Sequence, residues 1–432
     1  MPNLIQKANL LKDLKNKIFE AEILELSHLG SGICKIDIDD SGNENFVVFV
    51  KDSLPFEIVT LKIISVKKNY AYGKVLNFIK KSEARVSTPI CPAFFKCGGC
   101  SLLHMTYEEQ LKFKNIDYYG NDTHYRNKVS FPVTQNGIGY YKTGTHDNIN
   151  YYDCKIADES FFPIIQKIEG LNIAPYDEKN HSGVLRHIFL RKVDEQIMLC
   201  LVLNSKNGLS SSKLKDALLG LNLPVSSIIL NYNNKKTNVI LGKDYDVIYG
   251  TNYITSSVLG YKFGISLHSF YQVNDFMSSM LYEHVLMHIE KDKEVLDLYC
   301  GVGIMAIIIA NSSKKVRGVE IVEEAVLDAI KNAKLNNITN ASFELEDARN
   351  IQIKEQIIIL DPPRKGVDEK LLIKINESLA EKIIYVSCNE KTLKRDIEIL
   401  TTANFEVTYE KRYDFFPNTL HIETLAVLKR RI

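Results

Sequence analysis

Three short segments toward the end of this chain carry residue types that can do chemistry together. Cys388 follows the apolar run Ile383-Ile384-Tyr385-Val386 and Ser387, with Asn389 after it. A thiol at the end of a buried strand is placed to act as a nucleophile, whereas within the run it would only pack. Asp361-Pro362-Pro363-Arg364-Lys365-Gly366 closes another apolar run and reads as a ligand-clamping loop. Glu423, in His421-Ile422-Glu423-Thr424, lies between Ile422 and Leu425, and partial burial raises a carboxylate's proton affinity toward that of a working base. A thiolate paired with a base suits substitution at an unreactive ring carbon. Addition of a thiolate to C6 of uracil makes C5 nucleophilic; a base must then remove the C5 proton so that the thiol can leave. Cys388 suits the first role and Glu423 the second. An aromatic residue after Asp-Pro-Pro would suit amino-group methylation. Arg364 stands there instead and can hold a phosphate or a base edge.

These residues need a scaffold that brings strand ends to one edge. From residue 294 the apolar runs alternate with helical segments. The expected strands are 295–298, 316–321, 357–360 and 383–386, with helices at 303–311 and 323–335. Such alternation predicts a parallel sheet with crossover helices. The runs 405–410 and 421–428 are spaced for a terminal antiparallel hairpin. Asp297-Leu298-Tyr299-Cys300-Gly301-Val302-Gly303 ends a strand and opens a helix, with glycines that allow a tight turn and a close ligand approach. Glu320 ends the next strand, where a carboxylate can accept from ribose hydroxyls, and Asp347 the third, where it can accept from an adenine amino group. NAD competes for this layout, because Gly301–Ala306 fits the loose dinucleotide pattern. S-adenosylmethionine fits better, since no pyrophosphate is demanded and a dehydrogenase has no use for the cysteine site. Cys300 is read as packing under the turn.

A second constellation is Cys91-x5-Cys97-Gly98-Gly99-Cys100, with Cys154 as the natural fourth ligand. Four thiolates suit tetrahedral zinc or an iron–sulfur cluster, and spacing alone does not choose. Cys34 and Cys200 lie in β-like runs and are expected to pack. Residues 17–77 alternate short β runs with turns, as about five strands of a small OB-type barrel do. Lys62, Lys67, Lys68, Lys74, Lys80, Lys81 and Arg85 are interleaved with Tyr70, Tyr72 and Phe78. Cations neutralise phosphates and rings stack on bases, so this stretch is read as an RNA face, against the alternative of an edge strand protected by lysines.

The chain of 432 residues is long enough for two or three domains, and its 45% apolar and 25% charged residues are ordinary for a globular protein. The net charge of +1 confines any basic surface to a local patch. No apolar run reaches the length of a membrane span, and Met1–Lys7 lack a signal core, so a cytoplasmic protein with reduced thiols and no membrane partner is expected. No heptad run or large apolar stripe points to a dimer, and a monomer is expected.

The second half resembles the RNA uracil-C5 methyltransferase family. The motifs that carry the resemblance are DLYCGVG, DPPRKG, SCN with Thr392-Leu393-Lys394-Arg395-Asp396, and Phe416-Pro417 followed by His421–Thr424. The N-terminal barrel resembles a TRAM domain through Phe49-Val50 and Leu54-Pro55-Phe56-Glu57, with Phe56 where the pattern has glycine. The resemblance implies an α/β Rossmann-like class I methyltransferase domain, an N-terminal OB-like (TRAM) β-barrel and a mixed α+β central domain with an iron–sulfur loop. The corresponding boundaries are 1–80, 81–264 and 265–432, with a helix at about 106–117 against the catalytic domain. It implies Cys388 as nucleophile, Glu423 as base, and Gln272, Tyr299, Gly301, Glu320, Asp347 and Asp361 as contacts of S-adenosyl-L-methionine. Cys91, Cys97, Cys100 and Cys154 would hold a [4Fe-4S] cluster. Arg126, Lys128 and Arg364 are the expected RNA contacts. The connection from Gln110 to Tyr125, with 14 residues between them, is shorter than the family's. The implied activity is C5-methylation of uridine in 23S ribosomal RNA. The alternatives are transfer RNA as substrate, a non-catalytic RNA-binding or ribosome-assembly role, and an iron–sulfur electron carrier using NAD.

Overall fold

A computed structural model describes residues 13–38, 46–117, 120–205 and 211–431; the N-terminal segment read above as lacking a signal core lies outside these residues. The chain divides into two compact units. One spans the chain to Lys114 with Asn418–Leu420, and the other spans Asn115–Pro417 with His421–Ile432.

Among its described residues the first unit has six strands, one more than the five or so expected: Ile18–Glu22, Glu25–Leu26, Gly32–Ile36, Phe46–Lys51, Ile58–Val66 and Tyr70–Lys80. Alternate residues point inward, so Cys34, Val48, Val50, Val59, Leu61 and Ile63 form a one-sided core. Phe56 takes a left-handed backbone (φ 67°), so the turn keeps the conformation that a glycine would supply there. Glu57 is fully buried and receives Arg85 Nη2 at 2.8 Å and the Leu54 N–H at 2.8 Å. Arg85 is thereby committed to an internal ion pair and does not belong to the basic face read from the sequence. Burying two charges is tolerated only when they are paired and hydrogen-bonded, as here.

The helix Tyr107–Lys114 is shorter than the sequence suggests. Its Gln110 donates to the Leu102 and Met105 carbonyls and to Asn418 Oδ1 at 3.0 Å, and accepts from the Asn418 N–H at 2.9 Å. A wholly buried amide thus satisfies both its donor and its acceptor side.

In the second unit a mixed sheet runs in the order Asp244–Tyr249, Ser227–Tyr232, Gln196–Leu203, Leu185–Val193, Lys128–Thr134, Gly137–Ile138. The helices Phe161–Glu169 and Ser211–Gly220 contribute Ile164, Ile168, Leu214 and Leu218 to one core with it. A second sheet of this unit has, among the described residues, seven strands ordered Ala341–Leu345, Lys315–Glu320, Glu294–Leu298, Ile357–Leu360, Lys382–Ser387, Glu423–Arg430, Phe405–Tyr413. The first five run parallel, Glu423–Arg430 runs against them, and Phe405–Tyr413, antiparallel to that strand, runs with the first five again. Helices cover both faces, which is why Ile357–Leu360 is apolar throughout and its neighbours are apolar at most positions. The expected hairpin therefore forms, and its second strand slots in beside Lys382–Ser387. Among the described residues no helix is long and apolar enough to cross a membrane.

Candidate active site

Parallel strands present all their C-terminal ends at one edge of a sheet, and ligands collect there. Cys388 follows the strand Lys382–Ser387 at this edge. Glu423 opens the neighbouring strand, which runs the other way and so begins where the others end. The register pairs Ser387 with Thr424, which sets Cys388 across from Glu423. Glu423 shares a strand face with Leu425 and Val427, is 3% exposed, and lies over the core beneath the cofactor end of the sheet. Burial and then the Asp361 charge raise its carboxyl well above the ordinary range, opposed by Arg364. Burial and the Glu423 charge push the Cys388 thiol up, and Arg364 opposes this too. Arg364 is thus the cation that favours the ionised form of both groups.

The loop 361–367 is held by the helix Glu390–Ala403. Asn389 caps that helix, accepting from the Lys391 N–H at 3.1 Å, and its Nδ2 donates to the Arg364 carbonyl at 2.8 Å. Asp396, fully buried, accepts from the Val367 N–H at 2.8 Å and from Tyr385 OH at 2.6 Å. Arg395 Nη2 donates to the Val367 carbonyl at 3.1 Å. Gly366 has φ 76°, and a Cβ there would fall 2.6 Å from Arg395 Nη2 and 2.7 Å from Asp396 Oδ2. The glycine is required on both counts. The motif after SCN therefore works by anchoring the motif around DPPR.

Tyr271, Gln272, Tyr282, Asp297, Tyr299, Gly301 and Asp361 line a cleft at the same edge. Tyr299 is left-handed (φ 65°), a costly conformation for a bulky residue that re-aims the chain at the strand end. Gly301 (φ 53°) would carry its Cβ into open space, leaving the backbone approachable, whereas a Cβ on Gly303 would meet Phe343 at 2.9 Å. Cys300 is buried and packs under the turn as expected; its Sγ lies 2.9 Å from where a Gly318 Cβ would sit. Glu320 accepts the Gly301 N–H at 3.1 Å with Oε2 and the Ile321 and Val322 N–H groups at 2.8 and 3.0 Å with Oε1, so its carboxylate is fixed beside the turn. Asp347 is held by Arg349, whose hydrogen bonds bring it down to about 2.

Asp297 was not singled out in the sequence, where it reads as one polar residue in an apolar strand. It is 1% exposed, lines the cleft, and its Oδ2 has no hydrogen-bond partner among the described residues. Burial and the Asp361 charge raise it to about 8, and burial raises Asp361 to about 7. With buried Glu423 and half-buried Asp361, three carboxyls stand at this edge. Arg364 offsets Glu423, while among the described residues no cation acts on the raised Asp297 and Asp361. The sulfonium and ammonium of S-adenosylmethionine complement such groups, so the donor chemistry fits this cofactor.

Two further residues hold the segment that bears Gln272. Asn127 Nδ2 donates to the Gln272 carbonyl at 2.9 Å and to Asp275 Oδ1 at 2.7 Å. Arg191, 2% exposed, donates to the Ser266 and Ser269 carbonyls at 2.7 and 2.8 Å. Lys128 lies 5.8 Å over the Phe270 ring, and burial with the Arg191 and Arg126 charges lowers it to about 8. Arg126 Nε donates to the Lys128 carbonyl at 3.1 Å.

In the first unit the Cys91–Cys100 loop folds through backbone turns, and the Gly99 N–H points at Cys97 Sγ at 3.3 Å. None of the eight cysteines is in a disulfide, and Cys34 and Cys200 are fully buried, as packing residues. Among the described residues no three His, Cys, Asp or Glu side chains are grouped to hold a metal ion. The Cys97 thiol, which receives this backbone N–H, has the donor chemistry of a cluster ligand. On the outer face of the six-stranded sheet Phe49, Tyr70 and Tyr72 cluster with centroids 5.5–5.9 Å apart. Lys51 and Lys74 are register partners beside them.

The chain matches the model of the tRNA (uracil-5-)-methyltransferase family over residues 103–431 and that of the TRAM domain over residues 12–76. Similar proteins include an uncharacterized RNA methyltransferase of Halalkalibacterium halodurans, 36% identical over 96% of this chain and 97% of that one. Another, of Clostridium acetobutylicum, is 38% identical over 96% and 98%. Among solved structures, the Pyrococcus abyssi tRNA (uracil-54, C5)-methyltransferase in complex with S-adenosyl-L-homocysteine aligns at TM-score 0.79 and 25% identity, covering 95% of this chain and 99% of that one.

Proposed function

Because this chain belongs to the tRNA (uracil-5-)-methyltransferase family, we propose that it methylates C5 of a uridine in RNA through a covalent adduct between Cys388 and uracil C6. The observation that carries this reading is the register that sets Cys388 across from Glu423 at the edge where Asp361 and Arg364 converge. The Cys388 thiolate adds to C6, and the electron pair moves to C5 and O4. S-adenosylmethionine supplies the electrophilic methyl group when bound. Glu423 then takes the C5 proton, the C5–C6 double bond re-forms, and the C6–S bond breaks to return the thiolate. Arg364 favours the anionic forms of both groups during the cycle. Gln272, Tyr299, Gly301, Glu320, Asp347 and Asp361, joined by Asp297, hold the cofactor. Arg126, Lys128 and Arg364 contact RNA in this reading, and the Phe49–Tyr70–Tyr72 face offers stacking surfaces beside lysines.

Large-subunit ribosomal RNA is the substrate favoured by the sequence resemblance. Transfer RNA is the second reading, favoured by the Pyrococcus abyssi enzyme named for that substrate. That enzyme aligns over 95% of this chain, so the N-terminal unit does not separate the two. Cys91, Cys97, Cys100 and Cys154 are proposed as ligands of a [4Fe-4S] cluster on their spacing and the family likeness. Anaerobic reconstitution should give four irons per chain, visible absorbance and a raised melting temperature; a colourless zinc protein would overturn this part.

The decisive experiment maps 5-methyluridine by mass spectrometry in ribosomal and transfer RNA from wild-type and deletion cells. Loss at defined 23S positions is expected. Loss only in transfer RNA would replace the substrate and keep the chemistry. RNA from the deletion strain that the purified protein and S-adenosylmethionine leave unmethylated would sink the reading.

A further inference from the structure

The central sheet carries a second cleft, of about 510 Å³, remote from the catalytic edge. Arg191 and Lys128 pair at one end of neighbouring strands, and His187 and Pro132 at the other. The four-residue step from Lys128 to Pro132, where the lining begins, spans roughly 13 Å, so the cleft starts about that far from the Lys128 end of the sheet. Tyr141, His146 and Asn148 line it from a hairpin, Tyr176 from a turn, and Arg186 with His187 from the strand Leu185–Val193.

Three buried polar atoms of this lining have no hydrogen-bond partner among the described residues: Asn148 Oδ1, Arg186 Nε and His187 Nδ1. Asn148 is 4% and Arg186 7% exposed, so water reaches them poorly. Buried donors and acceptors are normally paired, and several orphans in one cleft point to a ligand that completes them. Arg186 is fixed in place, its guanidinium 4.5 Å over the Tyr176 ring and its Nη1 donating to the Lys235 carbonyl at 3.0 Å. Tyr141 and His146 lie 5.5 Å apart at the wall and offer ring faces.

The charge of the lining selects the ligand class. Asp147, Asp177 and Glu178 outnumber Arg186 and Lys179, so a phosphate is disfavoured. Burial and the Arg186 charge lower His187 to about 4, so near neutral pH it offers one donor and one acceptor. A neutral, planar molecule with both donors and acceptors on its edge meets these conditions, and in an RNA-modifying enzyme that is a heterocyclic base.

We propose that this cleft binds an unpaired nucleobase of the RNA substrate, several nucleotides from the methylated uridine, with its edge toward Asn148, Arg186 and His187 and its face toward Tyr141. The proposal rests on the RNA-methylation reading and adds a point of substrate selection outside the catalytic edge.

The test uses the full chain with S-adenosylhomocysteine and the RNA identified by the mapping above, transcribed with single abasic positions. Affinity is measured for the wild type, His187→Ala and Tyr141→Ala; Tyr141 stands at the rim, and its truncation leaves the core intact. One abasic position outside the target should weaken wild-type binding about tenfold and leave the variants, already about tenfold weaker, unaffected. Their methylation should show a raised KM and an unchanged kcat. Normal RNA binding and methylation by correctly melting variants, with no such coupling at any position, would overturn the nucleobase site and leave the methyltransferase reading standing. Failure of the wild type to bind any RNA would overturn both.

Discussion

Cys388 and Glu423 face each other across two strands that run in opposite directions, because Ser387 is the register partner of Thr424. An all-parallel sheet would have carried Glu423 to the far edge. The antiparallel return is therefore what brings the proposed nucleophile and the proposed base to one edge.

Separating those roles is direct. Glu423→Gln should leave addition and methyl transfer in place and block proton removal, so a covalent protein–RNA band should accumulate while turnover falls by about 10²–10⁴. Cys388→Ala should abolish both the band and turnover. An adduct that persists in Cys388→Ala would remove Cys388 as the nucleophile.

The carboxylate cluster predicts a proton-coupled cofactor. Asp361 and Asp297 titrate near 7 and 8 in the fold, above their unfolded values. As pH rises from about 4, the unfolded chain loses these protons first, so the contribution of these groups to stability is present at low pH and is lost through pH 7–8. Binding of cationic S-adenosylmethionine favours the ionised carboxylates and should release protons near pH 7. Calorimetry in two buffers of different ionisation enthalpy reads this release. S-adenosylhomocysteine, without the sulfonium charge, should release fewer, and equal release by the two would refute the charge argument.

Gly366→Ala tests the link between the two motif segments. The added methyl meets Arg395 and Asp396 in a left-handed backbone, a cost of about 1–3 kcal/mol. Hydrogen exchange should rise in 361–367, and kcat/KM should fall with little change in the N-terminal unit. Unchanged exchange in the loop would mean that the helix does not hold it.

Phe56→Gly relieves strain in the first unit. The ring is 67% exposed and its backbone is left-handed, so glycine should raise the stability of this unit by about 0.5–1 kcal/mol. Slower exchange of the Phe46–Lys51 amides would report it, whereas faster exchange would show that the ring makes a contact worth more than the strain.

The Phe49–Tyr70–Tyr72 face is tested with Tyr72→Ala, which should cost RNA affinity about 1–3 kcal/mol for one lost stacked base. Lys74→Ala should instead flatten the salt dependence of binding. The strands of this face lie inside the sheet and not at its edge, so Tyr72→Ala without effect on affinity, in a protein that melts normally, would leave this face as an ordinary solvated surface.

The chemistry was legible in the sequence because it depends on strand ends: apolar runs closing on Asp361 and Cys388, a glycine turn after Asp297, a glutamate beginning the last run. Periodicity reports burial, and burial located the sheet and its active edge. It does not report charge pairing at a distance. Arg85 looked like part of a basic face and is consumed by Glu57, which is close to it only in the folded barrel. Asp297 opens the DLYCGVG segment, and only the fold shows that it is buried and lines the cleft. Asn127 and Arg191 read as polar residues of an unremarkable region, yet they brace the segment of Gln272 through carbonyls on another part of the chain. Local patterning thus determined the elements and the candidate residues. The tertiary structure decided the antiparallel register that pairs Cys388 with Glu423, the partners that hold the DPPR loop, and the gathering of three carboxyls whose proton affinity burial raises. All of these depend on distances between residues remote in sequence, and those distances exist only once the sheet has formed.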